Sequence, residues 1–302
     1  MTRRIPCLLA LWLALASYAA LAQDEAQPPV ELAGTLLKAR TSGAVTIAHR
    51  ESSIPFSYLS ARGEPIGYSI ELCRKLVEAM GEAVGHELEI KWLAVTSESR
   101  IDAIVSGQAD LECGSTTSNL ERAKRVAFSP TIFVSGTKLM VKRGSTIKSF
   151  RDLKGKTVVV TSGTTNEQAM HEITKRFGID FTIVVARDHA DSFAQLTAGK
   201  ADAFATDDVL LYGLIAKNDA KGKFLVVGEF LSYDPYGIMY RKGDAQLARL
   251  VNDTFRDLAV DGEVERQYKR WFMTRLPSGA SIDLPMSPQL ETLVRAMAAK
   301  PE

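Results

Sequence analysis

The sequence is short of cysteine and shows no excess of charge of either sign. Three cysteines in 302 residues exclude a disulfide-dense scaffold. Lysine and arginine number 37 against 36 acids, a formal charge of +1, which argues against a nucleic-acid partner and against electrostatic attachment to a membrane surface. The four histidines (His49, His86, His171 and His189) lack metal-ligand spacing. No phosphate-cradling glycine loop of the Walker type occurs, nor a Gly-x-Ser-x-Gly elbow. Repeats of short period and low-complexity tracts are absent. Only one long apolar run exists, at the N-terminus. The absences leave a near-neutral globular chain with weak enzyme signals and no implied cofactor or metal.

That apolar run, Ile5 to Ala20, follows Arg3 and Arg4 and ends in Ala20-Leu21-Ala22. A positive start, an apolar centre and a small-x-small end predict a cleavable secretory signal peptide over residues 1–22. Its removal leaves 280 of the 302 residues and takes two arginines and no acids, so the remainder carries 35 basic and 36 acidic groups. Cys7 leaves with it. Cys73 and Cys113 remain, one expected mid-helix and one at a strand end. Two buried free thiols are the favoured expectation over a disulfide, because sequence gives no separation between them.

The stretch Asp110 to Arg122, DLECGSTTSNLER, carries the strongest chemical signal. A short strand, Ala109 to Cys113, runs into a Gly-Ser-Thr-Thr turn and then a helical turn ending in arginine. Ser115, Thr116 and Thr117 offer hydroxyls, and the turn offers free backbone N–H groups. Arg122, five residues after Thr117, adds a guanidinium fork. These are donors suited to a carboxylate or phosphate. A second donor-rich turn, Thr161-Ser162-Gly163-Thr164-Thr165, again lies between a strand and a helix. Two such turns predict a small anion held between two lobes.

Around them, β-branched runs alternate with amphipathic segments. Strands are expected over Val45 to His49, Leu88 to Leu93, Thr131 to Lys142, Thr157 to Val160, Phe181 to Val185, Asp202 to Ala205, Phe224 to Val227 and Tyr236 to Tyr240. Helices are expected over Ile70 to Met80, Ser97 to Val105, Thr164 to Phe177, Ser192 to Ala198 and Asp208 to Ala216, and three more lie between Ala245 and Ala298. This alternation predicts an α/β fold with mainly parallel sheets, whose ligands bind at the carboxyl ends of strands.

Further candidates follow strands. Arg50 follows a strand and precedes Pro55, and taken alone it reads more simply as a solvated surface arginine. Ser97 reads as an N-cap with Arg100 in the first turn, where the helix dipole prefers an acid; a bound anion resolves that conflict. His189 stands just before a helix. Asp207-Asp208 end a strand and begin a helix, one as an N-cap and the other free for an ammonium group. Three arginines, several hydroxyls, a histidine and an aspartate match an amino acid with an acidic side chain. A Cys113–His189 nucleophilic dyad is conceivable on composition, but Cys113 reads more simply as a core residue.

The segments Arg50 to Tyr58, Thr96 to Ile101, Glu112 to Arg122, Val159 to Thr165, Asp188 to Phe193 and Asp207-Asp208 together resemble the periplasmic solute-binding proteins for polar amino acids (family 3), nearest the glutamate/aspartate branch. The resemblance covers essentially the whole chain after the signal peptide. It implies a two-lobed type II periplasmic-binding-protein fold, with the ligand cleft between residues 35–135 plus 240–302 and residues 136–239. The lobes would be joined by strands near Val134 to Lys138 and Gly237 to Tyr240. It further implies that Arg122, Thr117 and the Thr164/Thr165 turn hold an α-carboxylate and Asp207 an α-ammonium. Arg50, Ser97, Arg100 and His189 would hold a side-chain carboxylate, with Ser115 alongside. Implied partners are L-glutamate or L-aspartate and the inner-membrane permease subunits of an ABC importer, with the protein a monomer in the periplasm. One departure is Ile238, where the branch tends to carry cysteine. Two rival readings stay open. One is an enzyme on the same fold, a cyclohexadienyl-type dehydratase with Glu112 or His189 as general acid or base. The other is a ligand-sensing subunit.

Overall fold

The computed structural model describes residues 31–299; the expected signal peptide, residues 1–22, lies outside them. Two five-stranded sheets dominate. The first has the order Glu89–Ala94, Ala44–His49, Leu111–Glu112, Met239–Arg241, Val126–Phe128. The second has the order Thr182–Ala186, Thr157–Thr161, Ala203–Asp207, Thr137–Lys142, Phe224–Val227. Three adjacent strands of each sheet run parallel, the fourth runs antiparallel to them, and the fifth, antiparallel to the fourth, points the same way as the first three. The strand with antiparallel neighbours on both sides is the one that arrives from the other sheet: Met239–Arg241 enters the first and Thr137–Lys142 the second. Such a strand enters from the opposite end, which sets its direction. Each sheet thus keeps four of its five strands in one direction, as expected of mainly parallel sheets, with a single reversed strand.

Burial follows the sequence pattern. Val158, Val159 and Val160 are wholly buried in a strand flanked on both sides, and all five residues of Ala203–Asp207 are buried. Continuous apolar runs of this kind mark central strands covered on both faces. The helix Tyr68–Val84 buries Leu72, Leu76, Met80 and Val84 along one face and stops at Gly85, whose φ of 85° is left-handed. The helix Ala245–Val260 packs on it, and Pro288–Ala298 packs on Ala245–Val260.

The expected strand from Thr131 to Lys142 is divided into Phe133–Ser135 and Thr137–Lys142 by Gly136. A Cβ at Gly136 would lie 2.3 Å from the carbonyl oxygen of Ser232, so only glycine permits that approach. Phe133–Ser135 pairs with Asp234–Tyr236 in a two-stranded ribbon linking the sheets, a few residues before the strands expected from sequence. Phe133 and Tyr236 meet Phe56 edge-to-face there, and Phe133 stacks on Phe272, an aromatic brace beneath the cleft.

Cys73 and Cys113 form a disulfide, with Cα atoms 6.3 Å apart, where free thiols were favoured. Ser69 Oγ donates to the Gly114 carbonyl at 2.7 Å, which fastens the first turn of the helix to the turn after strand Leu111–Glu112. One helical turn on, Cys73 then faces Cys113. Only tertiary packing sets that meeting.

Candidate functional site

Both donor-rich turns lie at the carboxyl ends of central strands and face each other across the cleft. In the first, Asn119 caps the short helix Leu120–Ala123 by accepting from the Arg122 N–H at 2.9 Å. Arg122 folds back, and its Nη1 donates to the Thr117 carbonyl at 2.8 Å. Its Nη2 reaches the Gly163 carbonyl in the second turn at 3.4 Å. In the second turn, Thr164 caps the helix Thr165–Phe177, accepting from the Glu167 N–H at 3.1 Å. Thr165 Oγ1 donates to Asp234 Oδ1 at 2.7 Å, and Thr117 Oγ1 donates to the same oxygen at 3.1 Å. The two turns therefore meet at a carboxylate on the linking ribbon. Gly163 packs so tightly against the other side that a Cβ would stand 2.8 Å from the Glu98 Cα. Ser162 Oγ donates to Glu98 Oε2 at 3.1 Å. The two halves are closed on each other.

Between them lies a small cavity lined by Ser97, Arg100, Ser115, Thr117, Thr164, Thr165, Asn166, His189, Asp207 and Leu210. Eight of the ten residues singled out from sequence meet here. Arg50 and Arg122 are buried beside it, near enough that Arg100 acts electrostatically on both. Arg50 also lines an adjoining cavity with Glu51, Thr96 and Asp188.

Ser97 is not the expected N-cap. The helix runs from Arg100 to Val105, and the hydroxyl near its start belongs to Ser99, which accepts from the Thr96 N–H at 3.0 Å. Ser97 Oγ is instead buried against the cavity without a hydrogen-bond partner. Asp207 occupies the N-cap position of the helix Asp208–Lys217, but its side chain caps nothing. It accepts from Asn166 Nδ2 at 2.9 Å and from the Tyr236 hydroxyl. Asp208 turns away, to Ser135 Oγ at 2.7 Å.

The site's electrostatics are set by burial. Arg50 is 1% exposed, and neither Nη1 nor Nη2 has a partner; Arg100 is 2% exposed, with Nε unpartnered. Burial and then the neighbouring Arg100 push Arg50 and Arg122 down to about 9, which leaves both charged at neutral pH. Burial lowers Arg100 as well. His189 is held well below the ordinary histidine range by burial and then by Arg50 and Arg100, so its ring is neutral at pH 7. Its Nδ1 lies 2.9 Å from Thr161 Oγ1. Asp207 is pushed up to about 8 by burial and then by Asp234, so it carries a proton at neutral pH. Glu112, Asp188 and Asp234 act on these guanidiniums electrostatically, yet nitrogens of Arg50 and Arg100 stay without a hydrogen-bond partner. Unpartnered buried donors on cationic side chains call for a small anionic solute.

Residues 45–274 match the pattern of the bacterial extracellular solute-binding proteins, family 3. The chain belongs to that family. An L-glutamate/L-aspartate-binding protein of Pseudomonas aeruginosa is 43% identical over 273 residues, covering 89% of this chain and 90% of the relative. A glutamate/aspartate import solute-binding protein of Escherichia coli is 40% identical over 286 residues, covering 94% of each. Among solved structures, a mutant of ArgBP from T. maritima superposes with a TM-score of 0.71 at 26% identity, over 80% of this chain and 100% of that one. The family 3 fold is the two-lobed type II arrangement, α/β in class, with its cleft between the two sheets. Among the described residues, no cluster of histidine, cysteine, aspartate and glutamate could hold a metal ion, and no helix is long and apolar enough to cross a membrane.

Asn166, Leu210, Asp234 and Tyr236 were not anticipated from sequence. Asn166 carried a signal, since it directly follows the Thr164-Thr165 pair. Asp234 and Tyr236 lie in a Ser-Tyr-Asp-Pro-Tyr segment that reads locally as a turn.

Proposed function

We propose that this chain captures L-glutamate and L-aspartate in the periplasm, by closure of two lobes, and delivers them to the permease of an ABC importer. The observation that carries the reading is the set of three buried guanidiniums, two of them (Arg50 and Arg100) with unpartnered nitrogens, gathered around one small cavity that also holds a neutral histidine and a protonated aspartate. A ligand with two carboxylates and one ammonium supplies acceptors to these guanidiniums and a cation for Asp207. The names of the bacterial relatives support the same solutes.

In this reading Arg122, Thr117 and the Thr164/Thr165 turn take the α-carboxylate, and Asp207 takes the α-ammonium. Arg50, Ser97, Arg100 and His189 take the side-chain carboxylate, with Ser115 beside it. The neutral His189 serves as a hydrogen-bond donor from Nε2 when Nδ1 accepts from Thr161. Lobe 1 comprises residues 35–135 with 240–302, and lobe 2 residues 136–239. The N-terminal 22 residues direct export and are removed, and the mature protein acts as a monomer. The dehydratase reading finds less support, because the named relatives are binding proteins and Glu112 does not line the cavity.

Isothermal titration of ligand-stripped mature protein tests the proposal. Glutamate or aspartate should bind one-to-one, and glutamine at least tenfold more weakly, because it leaves the buried arginines under-compensated. Glutamine bound as tightly as glutamate would remove the side-chain assignment. Binding of none of these amino acids would remove the transport reading.

A further inference from the structure

Behind the cavity, three buried polar side chains are bonded in a row. His189 lines the cavity and, among the described residues, is hydrogen-bonded only through Nδ1, which lies 2.9 Å from Thr161 Oγ1. Thr161 Oγ1 lies 2.8 Å from Ser192 Oγ, and Ser192 Oγ lies 3.1 Å from the Asp188 carbonyl oxygen. Thr161 and Ser192 are wholly buried, and His189 is 2% exposed. With His189 neutral, the row holds one hydrogen on the ring and one on each hydroxyl. They can be arranged in two directions. Running outwards, Nδ1–H donates to Thr161, Thr161 to Ser192 and Ser192 to the Asp188 carbonyl. Every hydrogen is then used, and Nε2 turns a bare lone pair to the cavity. Running inwards, Ser192 donates to Thr161 and Thr161 to Nδ1. The ring hydrogen then sits on Nε2, where no atom of the described residues accepts it. Arg50 and Arg100 act electrostatically on the ring, and a lone pair facing cations is favourable. Without a solute the outward direction is the better one.

We propose that Thr161 and Ser192 are positioning residues that switch the His189 tautomer to suit the solute: Nε2 is bare in the ligand-free protein, and Nε2–H donates to the side-chain carboxylate when glutamate or aspartate binds. This inference rests on the acidic-amino-acid reading of the site. A carboxylate makes the inward direction the better one, because Nε2–H then gives a charge-assisted hydrogen bond. The proton count of the ring is unchanged. It loses the hydrogen on Nδ1 to water and takes one from water on Nε2 while the lobes are apart, and the two hydroxyls turn round. An amide side chain calls for the outward direction. Glutamine turns its carbonyl oxygen to the guanidiniums, so its NH2 group meets Nε2, and only a bare Nε2 accepts from it. The hydroxyl pair therefore sets how strongly amides are rejected. Ser192 keeps the outward direction available. Without its hydroxyl, the remaining partner of the Thr161 hydrogen is Nδ1, which locks Nε2 as a donor.

The test is nitrogen-15 NMR of histidine-labelled mature protein, ligand-free and saturated with glutamate, with His189 assigned by the signals lost in His189→Gln. A ring nitrogen that carries hydrogen resonates far upfield of a bare one. Ligand-free, Nδ1 should carry the hydrogen; with glutamate, Nε2 should. The same tautomer in both states, or a ring protonated on both nitrogens, overturns the proposal. Ser192→Ala should show Nε2–H already without ligand. Its glutamine-to-glutamate Kd ratio should rise about tenfold over wild type, the scale of one buried hydrogen bond. Ser192→Thr, which returns the hydroxyl, should restore both. A ligand-free Ser192→Ala ring that keeps Nδ1–H, or an unchanged ratio, overturns the positioning role and leaves Ser192 a packing residue. Should Ser192→Ala fail to fold, the two wild-type spectra decide alone. Titration of wild type with glutamate and aspartate comes first. Binding of neither removes the functional reading and this inference with it, whereas glutamate binding with an unswitched ring removes the inference only.

Discussion

Arg100 opens a helix whose dipole disfavours a cation there, and it is buried with an unpartnered Nε. A residue held so unfavourably by its surroundings has its compensation in the ligand. Arg100→Ala should weaken glutamate binding by over a hundredfold, about 3 kcal/mol, while the ligand-free melting temperature stays level or rises. Titration beside a thermal melt reads both, and unchanged affinity refutes the role. Asp207 gives a pH signature. Its carboxyl is raised to about 8 in the closed, ligand-free site, and an ammonium beside it lowers that value again. Binding at pH 7 should therefore release about one proton, and titrations in two buffers of different ionisation enthalpy measure it. The sign for stability is opposite. A raised carboxyl stabilises the fold fully below the unfolded value of 3.8, and that contribution is lost as pH rises towards 8. Asp208, also raised by burial, acts in the same direction. The ligand-free melting temperature should thus fall between pH 5 and pH 8, while affinity for glutamate rises. A heat of binding independent of buffer would exclude Asp207 as the ammonium partner. At this scale the sequence was informative wherever a residue conflicted with its local setting, as Arg100 does. It was silent on Asp234 and Tyr236, whose partners lie up to 117 residues away.

Among the elements, the helix Tyr68–Val84 has a second task besides covering the first sheet. Ser69 and Cys73, one turn apart, both grip the turn that carries Gly114, Ser115 and Thr117. The disulfide closes a span of 40 residues, for which chain-entropy reasoning gives about 4 kcal/mol. The paired Cys73→Ala/Cys113→Ala variant should melt at a clearly lower temperature and bind glutamate more weakly, because the turn loses one of its two tethers. Equal melting temperatures would count against a stabilising role. Helices and central strands were legible because their apolar periods are long and regular. The helix expected at Ser97 begins at Arg100, since Thr96 and Ser99 bond to each other and hold Ser97 out of the helix. The disulfide was not legible, because periodicity places Cys73 on a helix face without saying what that face meets.

For the whole molecule, function is closure, and Gly163 marks how close the halves come. Gly163→Ala would push a Cβ against the Glu98 backbone only when the halves meet. It adds a left-handed alanine at a φ of 71°, which costs about 1 kcal/mol in any state. Affinity should therefore fall by more than that local cost, and small-angle scattering should show less compaction with glutamate than in wild type. Compaction equal to wild type would show that the contact is dispensable. Asp234 lies on the ribbon that must bend for the halves to part, and it holds Thr117 of one half, Thr165 of the other and Ser232 of the ribbon itself. The bonds to Thr117 and Thr165 tie the halves together in the closed form, so encounter with the open form is unaffected by them, and escape requires breaking them. The residence time of the solute is thereby written into the hinge. Stopped-flow on Asp234→Asn should find a faster dissociation rate with an unchanged association rate. A receptor tuned in this way can hand its cargo on quickly or slowly without altering a single atom that touches it.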